Sequence, residues 1–267
     1  MANNMDIITR NFFRLLRSGA LNEYEALEPM SSFKWHRLDQ MVHAQHVEAA
    51  ALKGARNHQY DEMMNIPQDL LTKQPQSRMV IDNVRLSNRL LNHKLRKIDE
   101  QEQRKPDVNF ATLDVLKIIA FTVSEMLNHG MMLNGIIILG SYLRTKGSEV
   151  DYEKLNHWLV KLHLRRMAQL MGSMLIAVFN FKQEELAFVQ HIEPSAYRLV
   201  LRSVNHAASD TAEEWHFRQT NSGFVRNNSA LLRRNLRRSL RYIAYAPLET
   251  MSNYFNNFAR SLQEIEE

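Results

Sequence analysis

The sequence predicts an all-α protein. Three observations carry that expectation. Apolar residues recur at i, i+3, i+4 and i+7 along nearly every apolar segment, the spacing of one helix face. Glycine and proline are scarce, 8 and 6 among 267 residues, whereas sandwiches and barrels need frequent turns. No sustained period-2 alternation marks a strand. About seven to ten helices are expected, with no sheet larger than a short hairpin. A chain of 267 residues with 45% apolar and 24% charged residues is long and apolar enough to bury a sizeable core.

The elements follow in order. Residues 7–19 form a first helix through Ile8, Phe12, Leu15 and Leu16, with Gly19 as its stop. Residues 28–32, Glu-Pro-Met-Ser-Ser, are a linker that ends in an N-cap. A second helix spans 33–51 through Trp35, Leu38, Val42 and Val47. Pro67 and Pro75 interrupt the next stretch. A long central helix is expected around 76–103, striped by Val80, Val84, Leu91, Leu95 and Ile98. The polar break Arg104-Lys105-Pro106-Asp107 divides the chain into an N-terminal helical region, 1–105, and a C-terminal one, 106–267, packed as one domain. Helices over 113–128, 131–144, 151–162 and 164–179 follow, with a turn at Gly147-Ser148. Pro194 opens another helix to about residue 208. Residues 209–228 read as irregular, and two helices over 229–245 and 247–262 complete the order.

Several function classes have no support in the residues. With no cysteine there is no disulfide scaffold, no Cys-ligated metal and no cysteine nucleophile. Asp6, Arg10, Arg14 and Arg17 interrupt any signal-peptide core. The most apolar stretch, 113–143, carries Asp114, Lys117, Glu125 and His129, so no membrane insertion is expected. Phosphate-binding G-x-x-x-x-G-K-[ST] and G-x-G-x-x-G motifs are missing. Gly140-Ser141 followed by Glu149 and Asp151 mimics a two-metal nucleotidyl-transfer site. However, the Gly-Ser lies inside a helical run, and the acids lie at a helix start, where acids are expected anyway. His36, His43 and His46, with Asp39, share a face of the second helix. No second ligand group stands at a telling distance, and surface histidines are the simpler reading. No metal, cofactor or catalytic residue is assigned.

The strongest chemical signal is charge. Between Trp215 and Leu248 there is no Asp or Glu, but there are seven arginines: Arg218, Arg226, Arg233, Arg234, Arg237, Arg238 and Arg241. The chain carries a net +5, so without this segment it would be slightly acidic. On a helix, Arg233, Arg234, Arg237, Arg238 and Arg241 fall within an arc of about 140°, and Leu232, Leu236, Leu240 and Ile243 fill the other side. Such a basic amphipathic helix is a solvated face, a polyanion site, or a surface for an acidic partner or membrane. Arg226, Arg233, Arg234, Arg237, Arg238 and Arg241 are the candidate anion- or partner-binding residues.

The order of segments resembles an uncharacterised bacterial nucleotidyltransferase family of the DNA polymerase beta superfamily. The pieces that carry the likeness are residues 11–19 (Asn-Phe-Phe-Arg-Leu-Leu-Arg-Ser-Gly), 33–38 (Phe-Lys-Trp-His-Arg-Leu), 129–133 (His-Gly-Met-Met-Leu) and 147–155 (Gly-Ser-Glu-Val-Asp-Tyr-Glu-Lys-Leu). Asn221-Ser222-Gly223-Phe224, then Leu232-Arg233-Arg234 and Pro247-Leu248-Glu249, continue it. In that family a catalytic mixed sheet lies between two helical regions. Here only residues 102–110 separate the corresponding parts, and the Gly-Ser and paired-Asp motif is missing. An Arg and an Asp follow the family's glycines, where this chain has Asn134 and Ile138. No catalytic residue carries over.

The resemblance implies a degenerate, non-catalytic helical protein of binding or assembly, made of the family's two helical parts joined directly. Surfaces that once cradled the catalytic insert need repacking, self-association or a partner. The expected partners are a protein or a second copy of the chain, the alternative being a nucleic acid or nucleotide on the arginine helix. The expected location is cytoplasmic.

Overall fold

The computed structural model describes residues 5–61, 64–72, 84–105, 109–205, 236–237 and 239–266, with side chains in the last helix to residue 259. It is all-α: twelve helices, ten of them of seven residues or more, and no strand among the described residues. They are α1 (Ile7–Leu21), α2 (Ser32–Ala44), α3 (Glu48–Asn57), α4 (Gln68–Thr72), α5 (Arg89–Gln103), α6 (Ala111–Asn128), α7 (Leu133–Lys146), α8 (Tyr152–Lys161), α9 (Arg165–Val178), α10 (196–205), α11 (helical residues within 236–242) and α12 (Pro247–Glu266). One continuous apolar core runs from Ile8 in α1 to Ala246 before α12, so the two sequence regions share it.

Helix α1 begins where the Asp6 carboxylate accepts from Thr9 N–H at 2.7 Å, an N-cap. It runs past Gly19 and ends at Asn22, in the left-handed region at φ 56°. Gly19 is therefore not a stop but a crossing point. A Cβ there would lie 1.9 Å from the Ala50 carbonyl oxygen, and one on Gly54 would lie 2.1 Å from that of Leu15. The two glycines let the backbones of α1 and α3 touch.

The second expected helix is two helices. His46 takes φ 53° and breaks the run after Ala44. The break has a structural use: the buried Gln45 side chain donates to Ser203 O at 3.1 Å and accepts from Leu133 N–H at 3.0 Å. It thereby ties the start of α7 to α10.

The expected long helix over 76–103 is also corrected. Residues 84–88 are not helical, and α5 begins only at Arg89. The Asn88 side chain accepts from both Leu90 and Leu91 N–H at 3.0 Å. This side-chain cap competes with helix continuation. The part of that segment over 73–83 lies outside the described residues.

The second region follows its periodicity closely. Helices α6 and α7 pack as a pair, with Gly135 seated on Thr122. Helix α9 is buried all round from Met167 to Leu175. Arg17 of α1 donates to Val178 O at 2.8 Å, joining the N-terminal helix to the end of α9.

Candidate functional site

The C-terminal helices form the surface that the rest of the fold leaves least explained. The corner between α11 and α12 is anchored. Tyr242 and Ala246 are buried, the Tyr245 hydroxyl lies 2.7 Å from that of Ser195, and the Arg166 guanidinium sits 5.6 Å over the Tyr245 ring.

From that corner, α12 lies on the body through polar groups. Glu249 is buried, and its carboxylate accepts from the backbone N–H of Ser87 and, at 3.0 Å, of Asn88. Burial pushes this carboxyl above its ordinary range, and the two amides pull the other way. Asn253, also buried, donates to Asn128 Oδ1 at 2.6 Å and to the Ser87 hydroxyl at 3.2 Å. Asn256 donates to Ser87 O, and Asn88 donates to the Ser252 hydroxyl. Thr250 completes the inner face, buried beside Glu249.

The outer face is the apolar one. Leu248, Met251 and Phe255 are 42%, 48% and 59% exposed. With Phe258 they occupy an arc of about 80°, opposite Glu249, Thr250 and Asn253. The orientation is the reverse of a surface helix, which buries its apolar stripe. Sequence reading placed this helix but missed the stripe. The signal was present as the alternating 3-4-3 spacing of Leu248, Met251, Phe255 and Phe258, which Leu262 and Ile265 continue in the sequence.

Of the six candidate arginines, Arg226, Arg233, Arg234 and Arg238 lie outside the described residues. Arg237 is exposed and Arg241 half-buried, and among the described residues neither pairs with a carboxylate. The other side of their helix carries Leu236, Leu240 and Ile243. These three are 44%, 62% and 38% exposed, and Tyr242 makes the inward contact.

A second feature is a cleft of about 1070 Å³ between the start of α3 and the facing sides of α6 and α7. Four of its five charged side chains are engaged, Glu125 being the exception among the described residues. Lys117 pairs with Asp99 at 2.7 Å, Lys53 donates to Asn22 at 3.0 Å, Glu48 meets His43 at 3.1 Å, and Asp114 accepts from the Tyr142 hydroxyl at 2.8 Å. Burial and the Asp114 carboxylate raise the Tyr142 hydroxyl well above its ordinary range, which makes it a poor proton donor to any ligand.

The remaining sequence features separate in space. His36 contacts Ser32 O and lies 3.6 Å from Asp69, whereas His43 sits between Asp39 and Glu48. Among the described residues no group of three or more His, Asp or Glu is placed to hold a metal ion. Gly140 packs within α7 against Leu175. Glu149 pairs with Lys146 at 2.7 Å, and Asp151 caps α8 by accepting from Lys154 N–H. No helix among the described residues is long and apolar enough to cross a membrane. Comparison with known proteins adds no relative: no family model, curated protein or solved structure matches the chain.

Proposed function

We propose that the chain is a non-catalytic helical protein of binding or assembly, derived from the helical parts of a nucleotidyltransferase, whose working surface is the outer face of α12. The observation that carries this reading is the inverted helix: polar groups dock α12 to the body while Leu248, Met251 and Phe255 face solvent. Exposing aligned apolar side chains has a cost that a contact would remove. The sequence resemblance supports the same reading, because it aligns only with non-catalytic helical parts.

The test replaces Met251 and Phe255 together by Glu in the cell of origin. The native complex, sized by gel filtration of a gentle lysate, collapses to the size of the free chain. A complex of unchanged size overturns the reading. Incorporation of labelled nucleotide from any nucleoside triphosphate with Mg²⁺ or Mn²⁺, lost on changing Glu149 and Asp151 to Ala, overturns its non-catalytic part.

Polyanion binding is the second reading, favoured by the lack of a carboxylate partner on Arg237 and Arg241 among the described residues. It expects duplex nucleic acid to bind with a log–log salt slope that becomes shallower by about 0.9 for each phosphate contact removed. Arg237→Ala with Arg241→Ala would show the change.

A further inference from the structure

We infer that the outer face of α12 is occupied by the same face of a second copy of this chain, with the two helices antiparallel about a two-fold axis. This deepens the assembly reading and rests on it.

Spacing supplies the first argument. Leu248, Met251, Phe255 and Phe258, followed in the sequence by Leu262 and Ile265, alternate by three and four residues without interruption. That is the a/d repeat of a helix that packs along another helix. A single helix laid on a globular body needs a wider apolar stripe. The helix has 20 residues, so the seam is about 30 Å long.

The flanks say which helix fits. Beside the seam stand Ser252, Tyr254, Ala259 and Ser261, all uncharged, and Glu266 at the far end is the one charged flank. Like charges facing each other across the seam would repel an identical copy; largely uncharged flanks let the helix meet its own copy. Ser and Ala at these places also permit close approach.

Charge along the chain sets the direction. The residues before α12 are basic, with Arg237 and Arg241, and the last turn of α12 carries Glu264 and Glu266 in its sequence. A parallel pair would bring the two basic ends together and the two acidic ends together. The antiparallel pair brings each acidic end to the partner's basic corner and to the N-terminal, positive end of the partner's helix. With the two helices, each Pro247–Glu266, overlapped along their full length, position 255 falls opposite 258 of the second copy and position 251 opposite its 262.

The experiment uses the full chain. Sedimentation velocity over a concentration series is expected to show a reversible monomer–dimer equilibrium. Phe255→Glu, at an exposed position, shifts it to monomer while the helical circular dichroism spectrum is retained. Because the chain has no cysteine, crosslinks read the direction cleanly. Met251→Cys mixed with Leu262→Cys gives a disulfide-linked heterodimer. Met251→Cys alone does not crosslink, since in the antiparallel pair the two copies of residue 251 stand about 16 Å apart along the axis.

A chain that stays monomeric throughout the series overturns the inference, as does a dimer unaffected by Phe255→Glu or a crosslink from Met251→Cys alone. A monomeric purified chain whose large complex in lysate still depends on Phe255 overturns self-pairing and leaves the assembly reading standing. Loss of both overturns both.

Discussion

Helices α1 and α12 are both attached to the same core, and they are attached in opposite ways. Helix α1 buries Phe12, Phe13, Leu15 and Leu16 and meets α3 backbone to backbone at Gly19 and Gly54. Helix α12 buries Glu249, Thr250 and Asn253 and turns Leu248, Met251 and Phe255 outward. Dry, close packing holds an element for stability. A polar dock holds an element in place while leaving its apolar face for something else. The difference separates helices held by apolar packing from one held by polar groups with its apolar face uncovered.

The largest effect expected from breaking the contrast is at the dry crossing. Gly19→Ala places a Cβ 1.9 Å from the Ala50 carbonyl oxygen and 2.6 Å from Gly54 N, both backbone atoms. No rotamer change relieves that clash, so α1 and α3 must separate. A loss of about 3 kcal/mol is expected in urea denaturation, at the upper end for overpacking. A loss below about 1 kcal/mol would mean that the crossing has slack.

The polar dock comes next. Glu249→Ala removes the acceptor for the N–H groups of Ser87 and Asn88. Leaving buried donors unsatisfied costs about 2 kcal/mol. Hydrogen exchange at Ser87 and Asn88 should rise together with that of α12, while α1 amides keep their protection. Uniform loosening across both helices would show that the dock is not a separate unit.

These two sites also explain what the sequence could disclose. The apolar helices α6 to α9 fall where the 3.6-residue spacing puts them, because burial on several sides makes the pattern dense. The breaks did not announce themselves. The interruption at Gln45-His46 serves contacts to Leu133 and Ser203, distant in sequence, and the start of α5 at Arg89 depends on Asn88 and on Glu249, which arrives from α12. Local propensity carries no information about such partners. The stripe on α12 was legible as spacing, but spacing alone says inside, and only the polar dock turns it outward. The arginine pattern was plain, yet four of its six candidates lie outside the described residues.

Acid should act on the two regions in opposite senses. Glu28 straps the 22–31 loop to α1 through Arg10 at 2.7 Å and Arg14 at 2.8 Å. The Arg10 hydrogen bond leads in holding its carboxyl down to about 2 against the cost of burial, with Arg14 adding to it. The folded value lies below the unfolded one, near about 4.3. This contribution is therefore present above that value and lost as the pH falls toward 2. Glu249 is raised instead, so protonation favours the folded form there, and the dock gains as the pH falls through the raised folded value, the gain being complete below the unfolded one. In denaturation at pH 7 and near pH 2, the stability gap between wild type and Glu28→Gln should shrink at the lower pH. A constant gap would remove Glu28 from the acid response.

The smallest expected stability effect is at the outer face. Phe255 is 59% exposed and touches Tyr254 edge to face at 5.9 Å between ring centres. An aromatic ring of similar size in the core, such as Phe12 at 0% exposure, loses about 4 kcal/mol on truncation to Ala. At Phe255 the same change leaves no internal cavity and exposes no buried group. It should move the stability of the monomer by no more than about 0.5 kcal/mol, measured at a concentration too low for association. In the associated state the same substitution should lower the denaturation midpoint, because a partner that binds only the folded chain adds stability by mass action. The two measurements differ only in protein concentration. A large loss in the monomer would show that Phe255 belongs to the core after all, and α12 would then be an ordinary surface helix with an unusual exposure.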